Sequence, residues 1–430
     1  MALTSLFTAV SGMNANGTAL SVISDNVANM NTTGFKASRA AFGDILSQQI
    51  GESQVGRGVL LTDVAPQFTQ GTFENTASVL DMAVDGEGLF VMKDSSGTYY
   101  TRAGQFSVDK EGYVVNSSGI VLQGYLFSDT GTATSALGDI NVSSVNSAPN
   151  NTENITLSAN LDSRATIPAG FDVTDPNNTS NFSTSVIAYD SLGNGHNVNV
   201  YFRKDAEDAT TGNTWEWYAV VDAADSASGA TEIQAEGTLG FTNEGFLDIE
   251  SAITYSLASG GFDFNGGAAE GQIIDFDFGT SITTDLGTGR DGTTQYGGES
   301  ATTFQSQDGY SSGSLKSITI SQDGTMTGIF TNGQTRGLAQ LALAKFISPT
   351  GLTKMGRGLY AESTESGQPV ISTPQSSGTG AVLSNTLELS NVDLAEEFVK
   401  MILSQRGFQA NSRVITTSDE LMSELVNMAR

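Results

Sequence analysis

Apolar side chains recur at helical spacing near the two ends of the chain and at strand spacing between them. From Leu3 onward, apolar or small residues return every three or four positions, as Leu3, Leu6, Val10, Met13, Gly17, Leu20, Ser24 and Val27, with Phe7 and Ile23 widening the stripe. This is the seam of a coiled-coil-forming helix. It should stop near Asn29 to Asn31, because Asn tolerates the left-handed cap and Thr32-Thr33-Gly34 breaks the period.

The C-terminal segment mirrors this pattern. Ser390-Asn391-Val392-Asp393 offers a side-chain cap, and the acidic Asp393, Glu396 and Glu397 suit a positive helix N-terminus. One stripe passes through Leu394, Phe398, Met401, Phe408, Ile415, Met422 and Val426. A second runs through Ala395, Val399 and Ile402, and a third through Leu421, Leu425 and Met428. Carried to Arg430, such a helix is about 60 Å long at about 1.5 Å per residue. A helix apolar on more than one side must be buried against several neighbours.

Between the ends the period is two. Val198, Val200 and Phe202 alternate with more polar residues, as do Trp215, Trp217, Ala219 and Val221. Asp323-Gly324 and Ser118-Gly119 mark tight turns. Residues 128 to 156 and 282 to 314 are polar and aperiodic, and read as two crossings of one domain boundary. The expected fold is mainly β and multidomain with α-helical termini. Its nested, discontinuous domains bring the two terminal helices together as a coiled-coil-like inner domain. The predicted divisions are 1–30 with 390–430 (helical inner domain), 31–70 with 363–389 (connectors), 71–146 with 304–362 (middle β domain) and 147–303 (outer β domain).

Composition narrows the function. Asp plus Glu number 47 against 19 Lys plus Arg, a net charge of -28, so nucleic acid is not an expected partner. The absence of Cys removes disulfides, thiolate metal sites and thiol nucleophiles. Met1-Ala2-Leu3-Thr4-Ser5-Leu6-Phe7 has neither the basic start nor the apolar core of a secretory leader. No stretch reaches the roughly 18 uninterrupted apolar residues of a membrane span, so membrane insertion is not expected. A dedicated exporter is therefore expected if the chain leaves the cell.

Candidate chemistry is sparse. His196 is the single histidine and has no cluster around it in sequence. Gly287-Thr288-Gly289-Arg290-Asp291-Gly292 matches a dinucleotide fingerprint by letter but sits in a polar loop with no helix predicted after it. Asp275, Asp277, Asp285 and Asp291 have no calcium-loop spacing. No catalytic, cofactor or metal residues are predicted. The terminal stripes also fit an ordinary core, yet the polar β interior offers no helical layer to cover them. A lipid surface is disfavoured, because no Lys or Arg precedes Lys36. Helices from other copies fit best, with the ends disordered before assembly and ordered by it.

Ser11-Gly12-Met13, Ser24-Asp25-Asn26-Val27-Ala28-Asn29 and Thr33-Gly34-Phe35-Lys36 resemble the N-terminal signature of the bacterial flagellar rod and hook proteins. Asn391-Val392-Asp393-Leu394-Ala395-Glu396-Glu397-Phe398-Val399-Lys400-Met401-Ile402, followed by Gln405-Arg406-Gly407-Phe408-Gln409-Ala410-Asn411, resembles the C-terminal signature of that family. The run from Val186 to His196, Asp308-Gly309-Tyr310, Asp323-Gly324 and Asn332-Gly333-Gln334-Thr335 is similar to its hook branch. The resemblance implies an extracellular homopolymer, a curved tube acting as a universal joint between rod and filament. It also implies type III export without a cleaved signal, and rod, hook-cap and hook-filament junction proteins as partners. A distal rod subunit and a surface adhesin remain the alternatives.

Overall fold

Both ends are helical and the body is mostly strand and turn in the computed structural model, which describes residues 2–45, 48–50, 53–128, 133–142, 146–210 and 212–428. The chain divides into two units, one comprising residues 1–145, 315–329 and 335–430, the other 146–314 and 330–334.

In the first unit, α1 (Ala2–Ala28) and α2 (Leu394–Met428) pair with each other. α1 stops at the expected place, where Asn29 folds its amide back onto the Asp25 carbonyl at 2.9 Å. α2 begins under a side-chain cap, with Asp393 Oδ1 accepting from the Ala395 and Glu396 amides at 2.8 and 3.2 Å. Its 35 residues make it about 52 Å long at about 1.5 Å per residue. Beside the helices lies an antiparallel hairpin, β1 (Ser38–Asp44) with β2 (Val59–Pro66).

The body of this unit is a largely antiparallel 13-stranded sheet. Its path runs through Leu315–Ile320, Thr325–Phe330, Thr335–Leu341, Val121–Phe127, Leu89–Asp94 and Gly97–Thr101. Gly324 and Gly333 adopt the positive φ that the Asp-Gly and Asn-Gly turns need, +76° and +81°. Met82, Phe90, Met92, Leu122, Met326 and Leu341 are buried within the unit.

The second unit has two sheets. Phe182–Tyr189, Gly195–Asp208, Gly212–Val221, Glu232–Phe241 and Leu247–Glu250 form an antiparallel path, and Asp275–Asp277, Asn154–Asn160 and Ala301–Gln307 form the smaller sheet. Register places Val198 opposite Val221, Val200 opposite Ala219 and Phe202 opposite Trp217. These inward side chains, with Trp215, form one buried cluster. Each large member contributes about 1.5–3 kcal/mol by leaving water. Arg164, Arg203, Lys204 and Arg290 are the basic residues of 146–314, and all are engaged: with Asp162, with Asp205 and Glu216, with Glu207, and over the Phe246 ring. The outward charge of this unit is therefore acidic.

Glu250 of this unit has its carboxyl pKa pushed up to about 7 by burial and by the nearby Asp285 and Asp277. A raised folded-state pKa contributes stability below the unfolded value of 4.5, and that contribution is lost as pH rises through about 7. Glu250→Gln is therefore expected to raise the melting temperature of this unit at pH 8 and leave it unchanged at pH 4. Trp215 and Trp217 are the chain's two tryptophans, so their fluorescence reports this unit alone.

Candidate assembly surface

The helix pair is antiparallel. Ser5 meets Ser418 (Oγ to Oγ 3.5 Å), and Asn26 Nδ2 donates to Glu397 Oε2 at 3.2 Å. Between them lie two reciprocal contacts of glycine with asparagine. A Cβ on Gly12 would stand 2.7 Å from Asn411 Nδ2, and one on Gly407 would stand 2.8 Å from Asn16 Oδ1. The helices thus approach through small and amide side chains, with Ala9, Ile23, Asn26, Glu397 and Ser418 buried.

Apart from Ile23, that seam runs beside the large apolar residues of α1 instead of through them. Leu6, Met13, Leu20, Val27, Leu394, Met401 and Ile415 are half-buried and Ile23 is buried. Phe7, Val10, Phe398, Ile402, Phe408 and Met422 are exposed, Phe7 by 67% and Ile402 by 50%. The side chains of Leu3, Leu425 and Val426 lie outside the described residues. The physical reason is distance of approach: small residues let two backbones come close, and the bulky flanks are left facing outward. β1 and β2 also carry exposed apolar side chains, Phe42, Leu60, Leu61 and Val64.

The signature residues hold the helices to the hairpin. Asn26 bridges Ser38, accepting from its amide at 2.8 Å and donating to its carbonyl at 2.9 Å. Asn391 accepts from the Ala37 amide at 2.8 Å and donates to the Gln67 carbonyl at 2.9 Å and Thr69 Oγ1 at 2.8 Å. Ser11 Oγ accepts from the Val59 amide at 3.2 Å. Gly34 has φ +68°, and a Cβ there would lie 2.5 Å from the Arg102 carbonyl carbon, so only glycine fits. Phe35 carries the Lys354 ammonium 5.0 Å above its ring. Gln405 and Arg406 face outward from α2.

Below the hairpin lies a buried ionic network, of which only Lys36 belongs to a signature run of the sequence. Lys36 Nζ is 2.6 Å from Glu388 Oε1, and Arg102 donates to Glu388 Oε2 at 3.2 Å. Lys36 also donates to the Thr69 carbonyl at 2.8 Å, Arg102 to the Val84 carbonyl at 2.8 Å and to the Gly86 carbonyl. Glu388 further accepts from the Gly71 amide at 2.9 Å. Burial holds the pKa of both Lys36 and Arg102 below the usual value, with Glu388 opposing that shift in each. The network ties the connectors 34–36, 69–71 and 386–388 to the β body.

The other candidates have these surroundings. His196 is buried, with Nε2 3.0 Å from Asp190 Oδ2, Nδ1 3.4 Å from Asp225 Oδ1 and its face stacked on Phe264. Burial opposes ionisation of Asp190, yet hydrogen bonds from His196, Asn194 and the turn backbone hold its carboxyl below the usual range. No helix follows Gly287 to Gly292. Among the described residues, no group of three or more His, Asp or Glu is placed to hold a metal. Among them, too, no helix is long and apolar enough to cross a membrane.

A β body ending in paired helices whose apolar flanks stay open is built as an assembly subunit, and the family matches define its class. Residues 6–36 match the flagella basal body rod protein model and 383–428 the C-terminal model of the basal body rod FlgEFG proteins. Residues 83–163 match the FlgE/F/G hook protein D1 domain, and 160–310 the FlaE D2 domain of the flagellar basal body. The chain is 34% identical over 459 residues to the flagellar hook protein FlgE of Borreliella burgdorferi, covering 99% of each. It is 35% identical over 428 residues to that of Salmonella typhimurium, covering 98% of each. The crystal structure of Helicobacter pylori flagellar hook protein FlgE2 matches with a TM-score of 0.48 at 15% identity, over 73% of this chain and 100% of that one. The chain belongs to the flagellar hook protein family and is a structural subunit of the bacterial flagellar hook.

Proposed function

We propose that copies of this chain polymerise through the outward flanks of α1 and α2 into a short curved tube outside the cell, which bends while transmitting torque from rod to filament. The observation that carries this reading is the row Phe7, Val10, Phe398, Ile402, Phe408 and Met422, left open to water by the α1–α2 seam. Leu3, Leu425 and Val426 extend the same interface in sequence. Heterologous, non-closing contacts of this kind generate a helical tube. The divisions 1–30 with 390–430, 31–70 with 363–389, 71–146 with 304–362, and 147–303 are its working parts: inner tube, connectors, middle domain and outer domain.

The acidic second unit supports compliance, because like-charged outer surfaces slide past one another without locking together. The chain acts mechanically and not as a catalyst. It leaves the cell through the flagellar type III apparatus, and meets the rod, the hook cap and the hook-filament junction proteins at the two ends of the tube. Electron microscopy of the purified polymer tests the reading. Short curved tubes are the expected result, whereas straight rods, or no polymer at any concentration, refute it.

A further inference from the structure

We propose that Gly12 and Asn16 of α1, with Gly407 and Asn411 of α2, are the register-determining residues of the helix pair: they admit one antiparallel alignment and reject its neighbours. On the assembly reading above, that alignment also fixes where the outward flanks meet another copy.

The contacts across the seam, Ser5 with Ser418, Gly12 with Asn411, Asn16 with Gly407 and Asn26 with Glu397, keep a single register. Their steps along α1 are 7, 4 and 10 residues, and along α2 the same 7, 4 and 10 in reverse. Ala9, Ala19 and Ile23 fill the intervening seam positions, opposite Val414, Ser404 and Lys400 in that register. The resulting steps of three and four residues are those of an antiparallel coiled coil, whose positions recur every seven residues. Small side chains such as Ala9, Ala19 and Ser404 fit equally one heptad along, so they do not choose the alignment.

The amides do choose it. Asn16 donates from Nδ2 to the Gly12 carbonyl at 2.8 Å, one turn back on its own helix, and so presents Oδ1 to Gly407. A Cβ at Gly407 would stand 2.8 Å from that oxygen, and one at Gly12 would stand 2.7 Å from Asn411 Nδ2, both too close for a carbon. Each amide therefore needs a glycine opposite it. Sliding α2 by one heptad in one direction sets Asn16 against Val414 and Asn411 against Ala19. Sliding it in the other sets Asn16 against Lys400 and Asn411 against Ser5. Both slides put side chains where only backbone fits, and both take Asn26 away from Glu397. Polar residues at seam positions fix register in coiled coils in this way, at some cost in stability.

Exchanging the two halves of a contact tests the proposal. The chain has no cysteine, so Ser5→Cys with Ser418→Cys places its two thiols at the far end of the seam, where the native hydroxyls are 3.5 Å apart. In the dilute chain, oxidation traps this alignment even where the pair forms transiently, and mass spectrometry of peptides reads the intrachain disulfide. In that background Gly12→Asn is expected to slow disulfide formation at least about tenfold, because two amides then crowd one space. Adding Asn411→Gly, which again sets one glycine against one amide, is expected to restore the rate to within about twofold. The reciprocal pair, Gly407→Asn followed by Asn16→Gly, should repeat the loss and the recovery. An unchanged rate in both single variants, or no recovery in either exchange, overturns the proposal. Microscopy is expected to show polymer lost in the single variants and regained in the exchanges. Normal polymer from the single variants overturns the role of the register in assembly. The disulfide reads the register with or without polymer, so failure of the assembly reading shows separately, as a parent chain that never polymerises.

Discussion

Glu388→Gln is expected to destabilise the first unit by about 3–5 kcal/mol, the range for removing one partner of a buried ion pair. The change keeps the size of the side chain and removes its charge. Lys36 and Glu388 have fully buried side chains, and Arg102 nearly so, so neither cation can turn to water for compensation. Their remaining acceptors are backbone carbonyls of Thr69, Val84 and Gly86, which cannot neutralise two charges. The expected readout is selective. Calorimetry shows the transition of the first unit moving down, while tryptophan fluorescence from Trp215 and Trp217 in the second unit keeps its midpoint. A change below about 1 kcal/mol, the level of an exposed salt bridge, would contradict the buried network.

Joint replacement of Phe398 and Ile402 by Asp gives the opposite combination: an intact chain that does not polymerise. Both side chains are about half exposed on α2, so in the lone chain the change stays near the ±0.5 kcal/mol of a surface substitution. Between copies the cost differs. Two carboxylates would have to be buried without partners against apolar neighbours, at several kcal/mol each. Sedimentation should show monomer at concentrations where the parent chain forms polymer, with the Trp215 and Trp217 signal unchanged. Normal polymer from this variant would move the interface away from α2.

The helices were legible because their apolar spacing survives regardless of what they pack against. The sheets of the second unit were legible for a similar reason, since Val198, Val200, Phe202, Trp215 and Trp217 alternate in the chain as they alternate across the pleat. The seam was not, because reading for apolar bulk selects Leu6, Val10 and Met13, whereas close approach selects Ala9, Gly12 and Asn16. Reciprocal glycine and asparagine four residues apart, Gly12-x3-Asn16 and Gly407-x3-Asn411, was the available signal. The ionic network was hidden more deeply. Lys36 and Glu388 are 352 positions apart, and no local period links them. Glu388 does stand alone as a carboxylate between Leu387 and Leu389, a hint that it is buried and partnered.

On the proposed assembly reading, other copies cover the outward flanks of α1 and α2, and the pair does not stay closed without them. Amide hydrogen exchange across residues 2–28 and 394–428, compared in dilute chain and purified polymer, tests this most directly. Rapid exchange in the dilute chain and strong protection in the polymer are predicted. Strong protection of both helices in the dilute chain would contradict the account, since the pair would then be stable without its neighbours.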